Sequence, residues 1–78
     1  MMQFNYDADV DAVYVELRNE PYAYGKDLDD SRRVDYGRDD VPVGIELLNV
    51  SLGVNVDDPP ERAAVGRLLK EHNLKVYA

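Results

Sequence analysis

The stretch YDADVDAVYVEL, residues 6–17, decides the fold because its second half alternates apolar and polar side chains. Val13, Val15 and Leu17 point to one side of an extended chain, and the residues between them point to the other side. Alternation with a period of two is typical of a β-strand that is buried on one face only. We therefore predict a strand whose valine and leucine side chains face a core.

Three aspartates at alternate positions open this stretch and raise the question of a calcium loop. After Asp7, Asp9 and Asp11, such a loop requires glycine at its sixth position and a bidentate glutamate at its twelfth. This chain has Ala12 and Arg18 there, which disfavours calcium. Short aspartate side chains also accept backbone N–H groups at turns. We predict Asp7 and Asp11 as structural residues of a turn, with Asp9 in solvent and no metal bound.

Further alternating segments predict a sheet. The predicted strands cover residues 2–6, 12–18, 22–28, 32–36 and 41–50. A four-residue loop would pair Tyr36 with Val41 and place Val34 opposite Val43. In that register the apolar side chains of the two strands point to the same face of the sheet.

The C-terminal third of the chain carries the signals of a helix start. Asp58 is predicted as the N-cap, Pro59 as the first helical residue, and Glu61 as the capping partner three residues after the cap. The predicted helix covers residues 58–73, and Asn73 is predicted as its left-handed C-cap. Its apolar side chains recur at helical spacing, so it packs by one face.

The order of these elements predicts the fold class. Residues 74–78 alternate again and favour a short final strand. Strands followed by one helix indicate an α+β fold, an antiparallel β-meander of four to five strands with one C-terminal helix packed on one face. We expect a single small domain, residues 1–78, with a β-rich core over residues 4–52.

The length and the absence of cysteine favour self-association. The chain has 78 residues and no cysteine, so neither disulfides nor thiolate metal sites stabilise it. A core of this size supplies little stability by itself. We therefore expect a homodimer.

The charge and the hydropathy of the chain exclude several classes of function. Sixteen acidic and nine basic residues give a formal net charge of −7, which repels phosphate backbones and favours a basic protein as partner. No segment approaches the roughly 20 apolar residues that span a membrane, and no signal peptide is recognisable. We expect a cytoplasmic protein that binds neither nucleic acid nor membranes directly.

Polar residues on the outward face of the predicted strands are the candidate site. Glu16, Asp35 and Glu46 share this face with Tyr14, and converging carboxylates bind divalent metals or act as an acid and base pair. The other interpretation is an ordinary solvated sheet face. Tyr22 and Tyr24 are further candidate binding residues. We expect both, like Tyr14, to be exposed.

No complete catalytic set is recognisable in the chain. His72 is the only histidine and lies at the end of the predicted helix, where packing is the expected role. No cofactor motif is present. We favour a non-enzymatic, protein-binding module, and the alternative is a small-molecule or divalent-metal-binding enzyme that uses the carboxylate cluster.

Several short motifs together resemble one family. The motifs are Tyr6-Asp7, Asp11-Ala12-Val13-Tyr14, Val34-Asp35-Tyr36, Val43-Gly44-Ile45-Glu46 and Leu48-Asn49. They are similar to those of the small, mostly bacterial family called domain of unknown function 2283. The turn GRDD, residues 37–40, departs from the Asp-x-x-Gly that this family often has. The resemblance implies a β-rich domain without established activity, and a role as the small partner of a neighbouring protein, of the antitoxin kind.

Overall fold

The computed structural model describes residues 2–57 and 59–77 and confirms the α+β fold. The strands are β1 Gln3–Asp7, β2 Ala12–Glu16, β3 Tyr24–Asp29, β4 Arg32–Tyr36, β5 Pro42–Leu48, β6 Val54–Asn55 and β7 Val76–Tyr77. One helix, α1, covers Arg62–Glu71, and two 3-10 turns cover Arg38–Asp40 and Val50–Leu52. The five-stranded antiparallel sheet, the C-terminal helix and the short final strand were all predicted.

The strand order of the main sheet is β1-β2-β5-β4-β3, so β5 lies in the centre. A simple meander would place β3 beside β2. Instead β2 and β5 are neighbours because their inward side chains are apolar and fully buried, as Val15 and Ile45 illustrate. The edges are left to β1 and β3, whose side chains are largely exposed. A second, two-stranded parallel sheet is formed by β6 and β7.

The predicted register of the β4–β5 hairpin was wrong by two residues at Val34 and by one residue at Tyr36. Val34 lies opposite Ile45, not Val43, and Tyr36 lies opposite Pro42, with an irregularity between Asp35 and Tyr36. The turn before β5 is one residue longer than predicted. Within it, the aspartates at positions 39 and 40 adopt left-handed φ angles of 63° and 60°. The inward face is nevertheless preserved at Val34, because a shift of two residues places another inward side chain, that of Ile45, opposite it.

The core lies between the inner face of the sheet and α1. Buried together are Val13, Val15, Leu17, Ile45, Leu47, Val50, Val54, Val65 and Leu69. Val65 and Leu69 come from the predicted apolar stripe of the helix. At the C-terminal end of α1 the ring of His72 stacks on Phe4 of β1, with 3.9 Å between ring centroids. The helix therefore also covers part of β1.

The predicted start of the helix was wrong. The helix begins at Arg62, and Glu61 immediately before it has a left-handed φ of 56° and makes no side-chain capping bond. Pro60 explains the late start, because a proline disfavours helical geometry in the residue before it, here Pro59. The predicted cap Asp58 lies outside the described residues.

The end of the helix matches the prediction of a left-handed asparagine. Asn73 has a φ of 63°. Its N–H donates to the carbonyl of Lys70, and the N–H of Leu74 donates to the carbonyl of Leu69, both at 3.0 Å. This paired arrangement is the Schellman motif, which satisfies the last carbonyls of a helix.

Arg32 joins the main sheet to the second sheet. It pairs with Leu47 across the β4–β5 ladder, and its side chain is 9% exposed. Its Nη1 donates to the carbonyls of Asn55 at 2.9 Å and Asp57 at 2.6 Å, and its Nε donates to Asp29 at 2.8 Å. A charged side chain is stable here because its donors meet acceptors.

Replacing Gly66 by alanine will stabilise the protein. Gly66 is buried within α1, and an added Cβ would lie 3.9 Å from Val56, an ordinary contact. Alanine is favoured over glycine in a helix by about 1 kcal/mol, which raises the melting temperature of a domain of this size by roughly 4–8 °C. Thermal unfolding followed by circular dichroism measures this. Gly25→Ala is the comparison outside the helix: its Cβ would meet the guanidinium of Arg33, which would have to move, so we expect no gain of this size there, and no gain for Gly66→Ala would contradict the packing argument.

No helix in residues 2–57 and 59–77 is long and apolar enough to cross a membrane.

Candidate functional site

Most of the predicted site residues lie on the outer face of the main sheet, the side away from α1. The strand registers place them in two rows across β2, β5 and β4, with Tyr14, Glu46 and Arg33 in one row and Glu16, Gly44 and Asp35 in the other. Neighbouring side chains on one face of a sheet are close enough to interact directly and diagonally. The structure therefore brings Tyr14, Glu16, Asp35 and Glu46 onto one surface.

The side chain of Tyr14 crosses β5 at Gly44. Its hydroxyl donates to Asp35 Oδ2 at 3.0 Å, so the bond joins β2 to β4 across the strand between them. A Cβ at position 44 would overlap the Tyr14 hydroxyl. Glycine is required here because a side chain passes over the backbone, and not because of its φ angle.

Arg33 extends this contact towards the edge of the sheet. Its Nε donates to Asp35 Oδ1 at 3.3 Å and its Nη1 donates to Asp27 Oδ1 at 3.1 Å. Its Nη2 donates to the hydroxyl of Tyr22 at 3.2 Å. We call Tyr14, Tyr22, Asp27, Arg33 and Asp35 the outer-face network.

The electrostatics of the network hold protons in place. Burial, the hydrogen bond to Asp35 and the nearby carboxylates raise the pKa of Tyr14 to about 12. The hydrogen bonds to Tyr22 and Asp27 raise the pKa of Arg33 further above its already high value. At neutral pH Tyr14 is therefore a hydrogen-bond donor with its proton in place. Its arrangement suits it to tie strands together rather than to act as a base.

Alkaline pH will weaken the protein through Tyr14. The ordinary pKa of tyrosine is 10.0 and the folded value is about 12, so the folded state holds the proton more tightly than the unfolded chain. The stabilisation is complete below pH 10 and is lost as the pH rises through the folded pKa. We expect the free energy of unfolding, measured with urea at several pH values, to fall less steeply over this range in Tyr14→Phe than in the wild type. The matched control Tyr77→Phe changes an exposed tyrosine outside the network, and an equal effect there would contradict the assignment.

The carboxylates do not assemble a metal site in the part of the chain that the structure describes. Within residues 2–57 and 59–77, no group of three or more histidine, aspartate or glutamate residues could hold a metal ion. Asp35 is already bound by Arg33 and Tyr14, and Glu46 is exposed. Glu16 and Glu46 act on the site mainly through their charge, which contributes to the raised pKa of Tyr14.

The three candidate tyrosines are not alike. Tyr14 is half-buried, whereas an exposed position was predicted. Tyr22 is exposed and belongs to the outer-face network. Tyr24 stacks on Tyr36 with 5.1 Å between ring centroids and donates to Asp40 at 2.5 Å, which raises the pKa of Tyr24 to about 12. Tyr24 therefore lies apart from the network.

Asp7 and Asp11, the two aspartates predicted as structural residues of the first turn, bind different partners. Asp7 Oδ1 accepts the N–H of Asp9 at 3.0 Å within the turn. Asp11 has a left-handed φ of 54°, and its carboxylate accepts the N–H and the hydroxyl of Ser51 at 2.9 and 2.7 Å. The Asp11 carbonyl also accepts the N–H of Val50 at 3.1 Å. Asp11 therefore fastens the first turn to the chain that follows β5, which alternation along single strands does not reveal.

A cleft that the sequence did not indicate lies between the end of the β4–β5 hairpin and the second sheet. Its volume is about 410 Å³. Three of its lining residues, Leu48, Leu52 and Tyr77, are large, apolar or aromatic, and exposed. Asp29 and Asp30 also line it. The only sequence signal was the run LLNVSLG, residues 47–53, in which two leucines fall outside the inward alternation.

The family comparison covers the sheet and the network. Residues 3–51 match the family described as "Protein of unknown function (DUF2283)". The chain belongs to the DUF2283 family. The DUF2283 match includes β1 to β5 and every member of the outer-face network, and it ends before β6 and α1. No curated protein and no solved structure matches the chain.

The motifs by which the chain resembles DUF2283 proteins meet in the structure. Tyr14, Asp35 and Gly44 come from three different motifs and form the crossing described above. Asp11 comes from the same motif as Tyr14 and binds Ser51. In this DUF2283 chain these residues therefore tie separate strands together.

Proposed function

We propose that the chain is a non-enzymatic module that binds a basic partner protein. The observation that carries this proposal is the cleft, where exposed apolar side chains stand beside carboxylates. Leu52 is 80% exposed, and covering an exposed apolar side chain with a partner lowers the free energy. The volume of about 410 Å³ is enough for side chains of a partner to enter.

The charge of the surface supports a cationic partner. The formal net charge is −7, and Asp29 and Asp30 stand at the cleft. Asp29 is bound by Arg32, so Asp30, which is exposed, is the freer of the two to meet a basic group. Opposite charges speed the encounter of two proteins and orient them. An RNA-acting protein of basic charge, the kind of target that an antitoxin neutralises, fits this surface, and the cysteine-free sequence suits an encounter in the cytoplasm.

The enzymatic alternative has less support from the contacts. An acid and base pair needs a carboxylate that is free to accept or release a proton at a substrate. Asp35 is held by Tyr14 and Arg33, and the Arg33 guanidinium is itself shared among three partners. The outer-face network is therefore a set of mutually satisfied groups.

Capture of partners from a native lysate of the source cells tests the proposal. We expect the tagged wild-type protein to retain a basic protein at low salt and to lose it at high salt. Salt at about 1 M shortens the Debye length to about 3 Å, which removes the attraction between exposed charges. The same protein should be retained much less by Leu52→Ser, because this change removes the most exposed apolar side chain of the cleft.

The matched control for this experiment is Val10→Ser. Val10 is 65% exposed and lies in the turn after β1, outside the cleft. We expect Val10→Ser to retain the partner as the wild type does. If the wild type, Leu52→Ser and Val10→Ser capture the same amount of partner, the cleft is not the binding surface. If no basic protein is captured by any of the three, the proposal itself is wrong.

A further inference from the structure

The two edges of the main sheet differ in how they are protected against strand addition. The edge strand β3 carries Lys26, Asp27 and Asp29 among its six residues, and its pairing is irregular between Asp27 and Asp29. Charged side chains and bulges are the devices by which edge strands avoid pairing with other chains. The β3 edge is therefore closed to a further strand.

The edge strand β1 has no bulge and only one charged side chain. It covers Gln3–Asp7, pairs with β2 in an unbroken register, and carries one charge, at its last residue Asp7. As the outermost strand, β1 presents the alternate backbone N–H and C=O groups that do not face β2. We propose that the protein forms a dimer in which β1 pairs antiparallel with β1 of a second copy.

The sequence of β1 is complementary to itself in one register. With Asn5 opposite Asn5 of the partner subunit, Phe4 lies opposite Tyr6 of the partner subunit, and the contact occurs twice by symmetry. Gln3 then lies opposite Asp7 of the partner subunit, so no two carboxylates face each other. Phe4 and Tyr6 both pair with core valines of β2, so the aromatic pairs lie on the inner face, beside the core. Aromatic pairs of this kind stabilise antiparallel ladders.

This pairing explains why association stops at two copies. The interface uses the same strand of both subunits, so of the edges of the main sheet it leaves only the two β3 edges exposed. Those edges are the protected ones. The product is a continuous ten-stranded sheet, five strands from each subunit, and it supplies the added stability that so small a core needs.

Sedimentation equilibrium of the purified full chain tests the dimer. We expect the wild type to dimerise, and to dimerise more strongly at high salt, because each subunit carries a formal net charge of −7. Capture of a basic partner has the opposite salt dependence, so the two proposals fail separately. A wild-type protein that remains monomeric at high concentration and high salt would overturn the dimer and leave the cleft proposal standing.

A pair of tyrosine variants tests which edge is used. Tyr6→Ser removes both aromatic pairs and is expected to weaken the dimer roughly ten- to a hundredfold. Tyr24→Ser is the matched control on the other edge strand, since Tyr24 is 42% exposed and Tyr6 is 47% exposed. The control is expected to dimerise as the wild type does. Weakening by Tyr24→Ser alone would overturn the assignment to β1.

Charge variants at the symmetry axis test the register. In Asn5→Lys and in Asn5→Asp, like charges would meet directly across the axis, so each variant alone should dimerise less than the wild type. A mixture of the two should form a mixed dimer, because the opposed charges are then opposite in sign. Recovery on mixing also shows that both variants are folded. Full dimerisation of each variant alone, or no gain on mixing, would overturn this register.

Discussion

Replacing Ile45 by alanine will lower the free energy of unfolding by about 2–5 kcal/mol. Ile45 is fully buried on the central strand, between Val15 on one side and Val34 on the other. Both neighbours are held in backbone ladders, so they cannot move in to fill the space that the lost methyl groups leave. A chain of this length has a total stability of about 4–12 kcal/mol, so the loss is a large share of the whole.

Urea unfolding followed by circular dichroism measures this loss. The matched control is Leu48→Ala on the same strand, because Leu48 points to the outer face and is 39% exposed. We expect the control to change the stability by less than about 1 kcal/mol. Equal losses for the two variants would mean that the inner face is not the side that the core occupies.

Replacing Gly44 by alanine will destabilise the protein by about 1–3 kcal/mol, although alanine is the smallest possible addition. The new Cβ would overlap the hydroxyl of Tyr14. The ring of Tyr14 cannot withdraw without losing its hydrogen bond to Asp35, and Asp35 then loses a donor. We therefore expect the pKa of Tyr14 to fall below its folded value of about 12 in the same variant.

A double-mutant cycle isolates the cause of this effect. In a Tyr14→Ala background the hydroxyl is absent, so the penalty of Gly44→Ala should nearly vanish. Urea unfolding of the four proteins of the cycle gives the coupling energy. The same penalty in both backgrounds would show that position 44 requires glycine for its backbone and not for the tyrosine that crosses it.

Ile45 and Gly44 show that the two faces of the sheet have different roles. Ile45 faces the core and Gly44 faces outward, next to each other on the central strand. The inner face supplies the buried apolar area, whereas the outer face carries a hydrogen-bonded tie from β2 to β4.

Much of the local structure could be predicted from the sequence. The alternation in β2 and β5, the inward set of side chains and the left-handed Asn73 at the helix end all depend on neighbours within a few residues. The outward face of the candidate residues followed from the same alternation. The prediction of the helix start was wrong because the two consecutive prolines have opposite effects. Pro59 favours a helix start, but Pro60 disfavours helical geometry in the residue before it, and the second effect decided the structure.

What the sequence by itself determined is therefore which side of each strand is apolar, and that five strands, one helix and a short final strand would have to share one core. Only the tertiary structure decided that β5 lies between β2 and β4, that Tyr14 reaches Asp35 across Gly44, and that Leu52 stands open at a cleft. Alternation fixes the direction of a side chain relative to its own strand, and that is a local property. Which strands become neighbours depends on the total apolar area that each arrangement buries, and that is a property of the whole chain.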